Sequence, residues 1–225
     1  MNLPNALTIG RILIAPLVAA LPFISSPLVR LAAFVIYIVA AVSDYWDGKL
    51  ARTRNLVTDF GSLLDPLADK LLLFATLVPM YILMAPPGDP FALSPASFDI
   101  AGSFPFRTPF GEVPLPWWIV TIVIGRELFM TVFRQIAARR GVVIAAIGPA
   151  KWKTGFQSVW VGAAYFWFFA ATLASRQGWD TSAWEYFAWF NGLVGVFTMT
   201  AAILLTVYSF WLYLKRYGRV VASRG

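Results

Sequence analysis

Apolar residues occupy the chain in long runs separated by short polar stretches, and the runs recur at the length of a bilayer crossing. A helix needs about 20 mainly apolar residues to span the hydrocarbon core. Six segments fit, at roughly 7–24, 29–53, 61–84, 117–140, 153–174 and 186–214. Pro22 and Pro27 mark the first turn, and APPGDP at 85–90 closes the third run. The segment 86–116, rich in Pro, Gly and Ser, reads as an extramembrane loop. The first run continues to Phe23 without a small-residue cleavage site, so a retained helix is expected rather than a signal peptide. The pattern predicts an all-α integral membrane protein of six transmembrane helices, one membrane domain over 1–225, with no internal repeat.

The polar junctions differ in charge. Lys49, Arg52 and Arg54 lie between the second and third runs, and Arg139, Arg140, Lys151 and Lys153 between the fourth and fifth. Lys215, Arg216, Arg219 and Arg224 follow the sixth. The alternate junctions carry Arg30, Arg107 and Arg176 against Asp89, Asp99, Glu112, Asp180 and Glu185. The cationic bias marks the cytoplasmic side. A multi-pass protein with both termini in the cytoplasm is expected, and Arg139, Arg140 and Lys153 read as topology anchors.

Composition narrows the chemistry. Apolar residues make up 59% and charged residues 13%, well below the usual share for a soluble domain. The absence of Cys excludes disulfides and thiolate metal sites. The absence of His excludes imidazole bases and the Ser-His-Asp triad. Acid–base and metal chemistry falls to Asp, Glu, Lys, Arg or Tyr. The net charge of +7 suits anionic lipid or anionic substrates.

One stretch breaks the apolar pattern. AVSDYWDGKLARTRNLVTDFGSLLDPLADK, from Ala41 to Lys70, holds five carboxylates between two apolar runs. Asp44, Asp47, Gly48, Ala51 and Arg52 fall at offsets 3, 4, 7 and 8, one face of a helix. Gly61, Asp65 and Asp69 do the same at offsets 4 and 8. Two helices joined by a turn near 54–60 would each present a polar stripe. Four converging aspartates repel one another unless cations intervene. Oxygen-only ligands favour Mg2+, Mn2+ or Ca2+, and a pair of such ions suits phosphoryl-type displacement. Intramembrane acids are costly and usually functional. Gly48 and Ala51 leave room for a base or diphosphate beside the backbone, and Arg52 offers a phosphate a bidentate contact.

The stretch reads D-x2-D-G-x2-A-R-x8-G-x3-D-x3-D from Asp44 to Asp69. It resembles the signature of the CDP-alcohol phosphatidyltransferases. The resemblance implies six transmembrane helices around a polar cavity open to the cytoplasm, usually a homodimer. It implies transfer of a phosphatidyl or related group from a CDP-linked donor to an alcohol, with release of CMP. By the same resemblance Asp44, Asp47, Asp65 and Asp69 hold two divalent cations, Mg2+ or Mn2+, and Asp69 is the base for the acceptor hydroxyl. Gly48, Ala51, Arg52 and Gly61 would line the cytidine diphosphate site.

Other stretches bear on the acceptor. Asn5, Thr8 and Arg11 recur every third residue in NLPNALTIGRILIAP. This stretch, GRELFMTVFRQIAARRGVVIAA and GPAKWKTGFQ together resemble the bacterial branch of the family that uses CDP-diacylglycerol and sn-glycerol 3-phosphate. That resemblance implies the bacterial inner membrane. Arg126 and Arg134 are eight apart and share a helix face within an apolar run, where an arginine is expensive unless it lines a polar cavity. A cup of Arg11, Arg126, Arg134 and Lys151 would hold a dianionic phosphate. Thr8 and Asn5 are equally suited to capping a helix. Two rival expectations remain. The first is the same chemistry on phosphatidylglycerol, serine, inositol or inositol phosphate. The second is an ion-coupled transporter, which would be expected to bind near the midplane between repeated halves.

Overall fold

The computed structural model describes residues 3–53, 59–91, 103–142, 144–145 and 148–223. Side chains are described for these except 3–4, 44–53, 59–60, 62–63 and 219–223. Six long helices follow the order of the apolar runs: α1 (Leu3–Ala20), α2 (Pro27–Thr53), α3 (Asp59–Met84), α4 (Trp117–Arg139), α5 (Gly148–Gln177) and α6 (Ser182–Ser223). A short 3-10 turn, Leu21–Phe23, ends the first helix, and Pro27 opens the second, where a missing N–H costs nothing. The expected turn between α2 and α3 falls at 54–58, outside the described residues.

Among the described residues four helical segments are long and apolar enough to cross a membrane: Asn5–Phe23, Leu64–Met84, Gly148–Gln177 and Ser182–Gly218. Pro27–Ser43 is a shorter apolar helix. The fourth helix does not qualify, because it carries Arg126, Glu127, Arg134 and Arg139 along its length. The fifth and sixth helices extend beyond the expected 153–174 and 186–214, since polar residues at their ends continue the backbone ladder.

The fifth helix is the centre of the bundle. Trp160, Tyr165 and Phe168 are among its fully buried side chains. The Tyr165 hydroxyl meets two backbone carbonyls, Val18 of α1 and Ala75 of α3, each at 3.1 Å. The Tyr165 ring stacks on Tyr37 of α2 at 5.6 Å. One side chain thereby ties four helices together. A smaller apolar cluster of Met130, Phe133, Ala137 and Tyr213 joins α4 to α6.

Arg30, counted above among the non-cytoplasmic charges, is 1% exposed. Its guanidinium donates to the Pro22 carbonyl at 3.0 Å and to Thr172, and it lies 4.5 Å from the Phe104 ring centroid. It is a packing element between helix ends.

The 86–116 loop also has structure beyond the expectation. Its second half forms a hairpin of β1 (Phe106–Thr108) and β2 (Gly111–Val113), with Phe106 opposite Val113. Phe104 N–H donates to Leu83 O at 2.7 Å and Leu115 N–H to Met84 O at 2.8 Å. These bonds satisfy carbonyls that the end of α3 leaves open. The hairpin lies on α6. A Cβ at Gly192 would stand 1.8 Å from the Arg107 carbonyl oxygen, and one at Gly195 would stand 2.4 Å from the Phe106 ring. These two glycines let the hairpin approach the α6 backbone closely.

Candidate active site

The first helix places three polar side chains in the interior: Asn5, Thr8 and Arg11 are 8%, 1% and 2% exposed. Their spacing of three keeps them on one face of α1, turned toward α3. On α3, Asp65 and Asp69 are one turn apart, with side chains 56% and 59% exposed. Thr8 donates to Asp65 Oδ1 at 2.7 Å. Arg11 Nη1 donates to Asp69 Oδ1 at 2.9 Å, and Arg11 Nη2 stands 3.9 Å from Asp65 Oδ1. A buried hydroxyl and a buried guanidinium thus fix two open carboxylates. Gly61, a further turn toward the start of α3, is buried.

Asp44, Asp47, Gly48, Ala51 and Arg52 all lie within helical α2, but their side chains are outside the described residues. Among the described residues no three carboxylates come together. The signature's aspartates from α3 are therefore on view, and those from α2 are placed by backbone alone.

Beside Asp69 a cavity of about 190 Å³ opens among α1, α2, α3, α4 and α5. Arg11 and Asp69 form one wall. Glu127 and Lys153 form another, and Thr154, Gln157 and Ser158 add neutral polar groups. Glu127 Oε1 accepts from Arg126 Nη1 at 2.7 Å and from Lys153 Nζ. Arg126 Nη2 donates to Ser209 Oγ of α6 at 3.1 Å. Arg126 and Lys153 are 9% and 4% exposed, so Glu127 is the shared counter-charge of two cations that have little access to water.

The expected phosphate cup is rearranged. Arg126 and Arg134 do share a face, but that face is turned to α6, where their guanidinium carbons lie 5.8 and 5.6 Å from the Tyr213 ring centroid. Arg134 Nη2 donates to the Tyr213 hydroxyl at 3.4 Å and does not line the cavity. Lys151 is exposed and also lies off the cavity wall. Lys153, expected as a topology anchor, is the buried lysine that lines it. A signal for this was present. The stripe Lys153, Gln157, Trp160, Ala164, Phe168 runs at helical spacing, and its apolar members are core. Glu127 directly follows Arg126 in the chain. Its bond to Lys153 crosses the α4–α5 connection, which no local pattern reports.

A second, apolar groove of about 690 Å³ runs outside α2 and α5, lined by Phe34, Ile38, Val42, Val159 and Phe166 among others. Tyr37, Ala41 and Ser158 belong to the walls of both the groove and the polar cavity. The Tyr37 hydroxyl donates to the Ser158 carbonyl at 2.9 Å, closing α2 onto α5 at that partition.

The family model described as CDP-alcohol phosphatidyltransferase matches residues 1–208. A Bacillus subtilis protein named CDP-diacylglycerol–glycerol-3-phosphate 3-phosphatidyltransferase is 31% identical over 96% of this chain and 94% of its own length. A Mycobacterium tuberculosis protein named probable phosphatidylglycerophosphate synthase is 32% identical over 72% of this chain and 64% of its own length. A rice protein named cardiolipin synthase (CMP-forming) is 32% identical over 70% of this chain and 43% of its own length. The match spans nearly the whole chain and includes the paired aspartate helices: the chain belongs to the CDP-alcohol phosphatidyltransferase family.

Proposed function

We propose that the protein transfers the phosphatidyl group of CDP-diacylglycerol to sn-glycerol 3-phosphate, giving phosphatidylglycerophosphate and CMP. The observation that carries this reading is the polar cavity with Asp69 on one wall and the Lys153–Glu127 pair on another. A carboxylate that can take a proton faces a buried cation that suits a phosphate. The name of the Bacillus subtilis relative supports the same pair of substrates.

The apolar groove sharing Tyr37, Ala41 and Ser158 with the cavity suits the diacylglycerol end of the donor, which would enter sideways from the bilayer. The nucleotide end would lie along Gly48, Ala51, Arg52 and Gly61. Asp69 accepts the proton of the glycerol 1-hydroxyl. The alcohol oxygen then forms a bond to the phosphatidyl phosphorus, and the bond from that phosphorus to the CMP oxygen breaks. CMP leaves with the electron pair. Thr8 and Arg11 hold Asp65 and Asp69 in place, and Lys153, with Arg126 behind it, receives the acceptor phosphate.

The open, co-facial carboxylates of Asp65 and Asp69 are oxygen donors suited to hard divalent cations. Asp44, Asp47, Asp65 and Asp69 would hold two ions, Mg2+ or Mn2+. When bound, the ions supply neutralisation of the diphosphate charge.

We place the site on the cytoplasmic face of a bacterial inner membrane, with both termini on that side, in a single membrane domain that pairs as a homodimer. Phosphatidylglycerol is kept as a second acceptor, beside a rice relative named cardiolipin synthase (CMP-forming). The deciding assay is CMP release by purified protein from CDP-diacylglycerol with glycerol 3-phosphate, phosphatidylglycerol, serine or inositol, each with and without EDTA. Release that depends on glycerol 3-phosphate supports the reading. Release with another alcohol alone replaces it.

A further inference from the structure

We infer that Glu127 is a positioning residue for the acceptor, acting through Lys153 to keep that ammonium charged and aimed into the cavity. This rests on the reading of a phosphorylated acceptor. Lys153 reaches the cavity from α5 through surroundings that leave it 4% exposed. A lone ammonium there would withdraw toward water or lose its proton. Arg126, 9% exposed, adds a second positive charge on the same carboxylate. Its Nε is buried with no hydrogen-bond partner among the described residues, so the guanidinium leans on Glu127 and Ser209. The single oxygen Oε1 of Glu127 takes both cations. Among the described residues this carboxylate is the group on the wall that offsets them, and it lies part-exposed at the cavity edge, where an arriving phosphate can share Lys153 with it. The other charged groups facing the cavity among the described residues, Arg11 and Asp69, are paired with each other on a separate wall.

Acting through Lys153 has a consequence that simple structural support lacks. Two residues that work as one unit show non-additive effects. The test is steady-state CMP release by Glu127→Gln, Lys153→Gln and the double variant, with glycerol 3-phosphate and CDP-diacylglycerol varied separately. Each single change is expected to raise the KM for glycerol 3-phosphate by about tenfold. The KM for CDP-diacylglycerol should stay within about twofold, and the double variant should match Lys153→Gln alone. An unchanged acceptor KM in Glu127→Gln overturns the inference. So does a loss that falls on the donor, or a double variant near a hundredfold, the product of two independent effects. If Glu127→Gln fails to accumulate in the membrane, Glu127→Asp decides. One methylene shorter, it loses its reach to Lys153, and a wild-type acceptor KM would overturn the inference. The wild-type enzyme separates the two levels. If it does not use glycerol 3-phosphate at all, the functional reading fails and takes this inference with it. If it does, and the variants are normal, the inference fails alone.

Discussion

Arg11 Nη1 meets Asp69 Oδ1 at 2.9 Å, with the guanidinium almost wholly buried and the carboxylate more than half exposed. The buried partner is fixed by its surroundings, so it sets the position of the open one. Arg11 therefore belongs with the aspartates as their holder. Its planar fork reaches toward both Asp65 and Asp69, and a lysine offers a single point charge instead. Arg11→Lys is expected to lower kcat by roughly ten- to a hundredfold, the worth of a charged hydrogen bond of about 1.5–3 kcal/mol. The KM for glycerol 3-phosphate should move little. A variant with normal kcat and a raised acceptor KM would return Arg11 to the acceptor site.

Activity should vanish in EDTA and return with Mg2+ or Mn2+, because four aspartates on two helical stripes call for divalent counter-charge to act together. Asp69→Asn should lose turnover far more than donor affinity, since an amide fills the space but cannot take the hydroxyl proton. Donor binding measured on the metal-loaded protein separates the two effects, and a collapse of donor affinity with normal chemistry would make Asp69 a structural ligand only.

The two lysines at the start of α5 should differ sharply. Lys151 is exposed and away from the cavity, whereas Lys153 is buried on its wall. Lys151→Gln is expected to leave the kinetic constants within about twofold, in the range of ordinary surface changes. Lys153→Gln carries the acceptor defect. Equal behaviour of the pair would remove the assignment of Lys153.

Gly192→Ala and Gly195→Ala should each destabilise the protein by about 1–3 kcal/mol, the usual cost of an added methyl where there is no room. Gly162→Ala is the control, because its Cβ would make ordinary 3.8 Å contacts with Tyr37 and Ile38. Thermal unfolding in detergent should show a lowered Tm for the first two and little change for the third.

Asp89 offers a pH test away from the membrane. Partial desolvation raises its pKa, but the Tyr81 hydroxyl and the Phe91 and Trp117 N–H groups outweigh it, and the carboxyl lies below its ordinary value. The folded chain thus binds this proton less readily than the unfolded chain. The stabilisation is complete above the ordinary aspartate range and fades as pH falls through the lowered value. Asp89→Asn should lower Tm at neutral pH, with a difference from wild type that narrows toward acid. A gap that is constant with pH would mean the carboxylate charge is not what matters.

The helices were legible because burial in a bilayer demands length and apolarity, and among the described residues four of them carry that record in full. The signature aspartates were legible for the opposite reason, as charge where charge is expensive. The hairpin was not, because strands as short as Phe106–Thr108 and Gly111–Val113 hold too few residues to show alternation. Lys151 and Lys153 could not be separated by charge count or position along the chain. They part only by helical phase, which the core residues Trp160 and Phe168 set further along α5. The bond from Glu127 to Lys153 joins two helices, and one sequence carries no trace of it.

The fit of Phe106 and Arg107 against Gly192 and Gly195 also orders events in time. The ribosome makes the hairpin well before it makes α6, and the ring of Phe106, fully enclosed in the finished protein, lacks its α6 cover until then. Before that the hairpin is held at the end of α3 and by the Trp167 indole, which donates to the Pro105 carbonyl at 3.0 Å. Insertion of the last helix is therefore the act that locks the outer rim. A chain that stalls before Gly192 would display an aromatic side chain and an unsupported ribbon to whatever quality-control proteases patrol that side of the membrane.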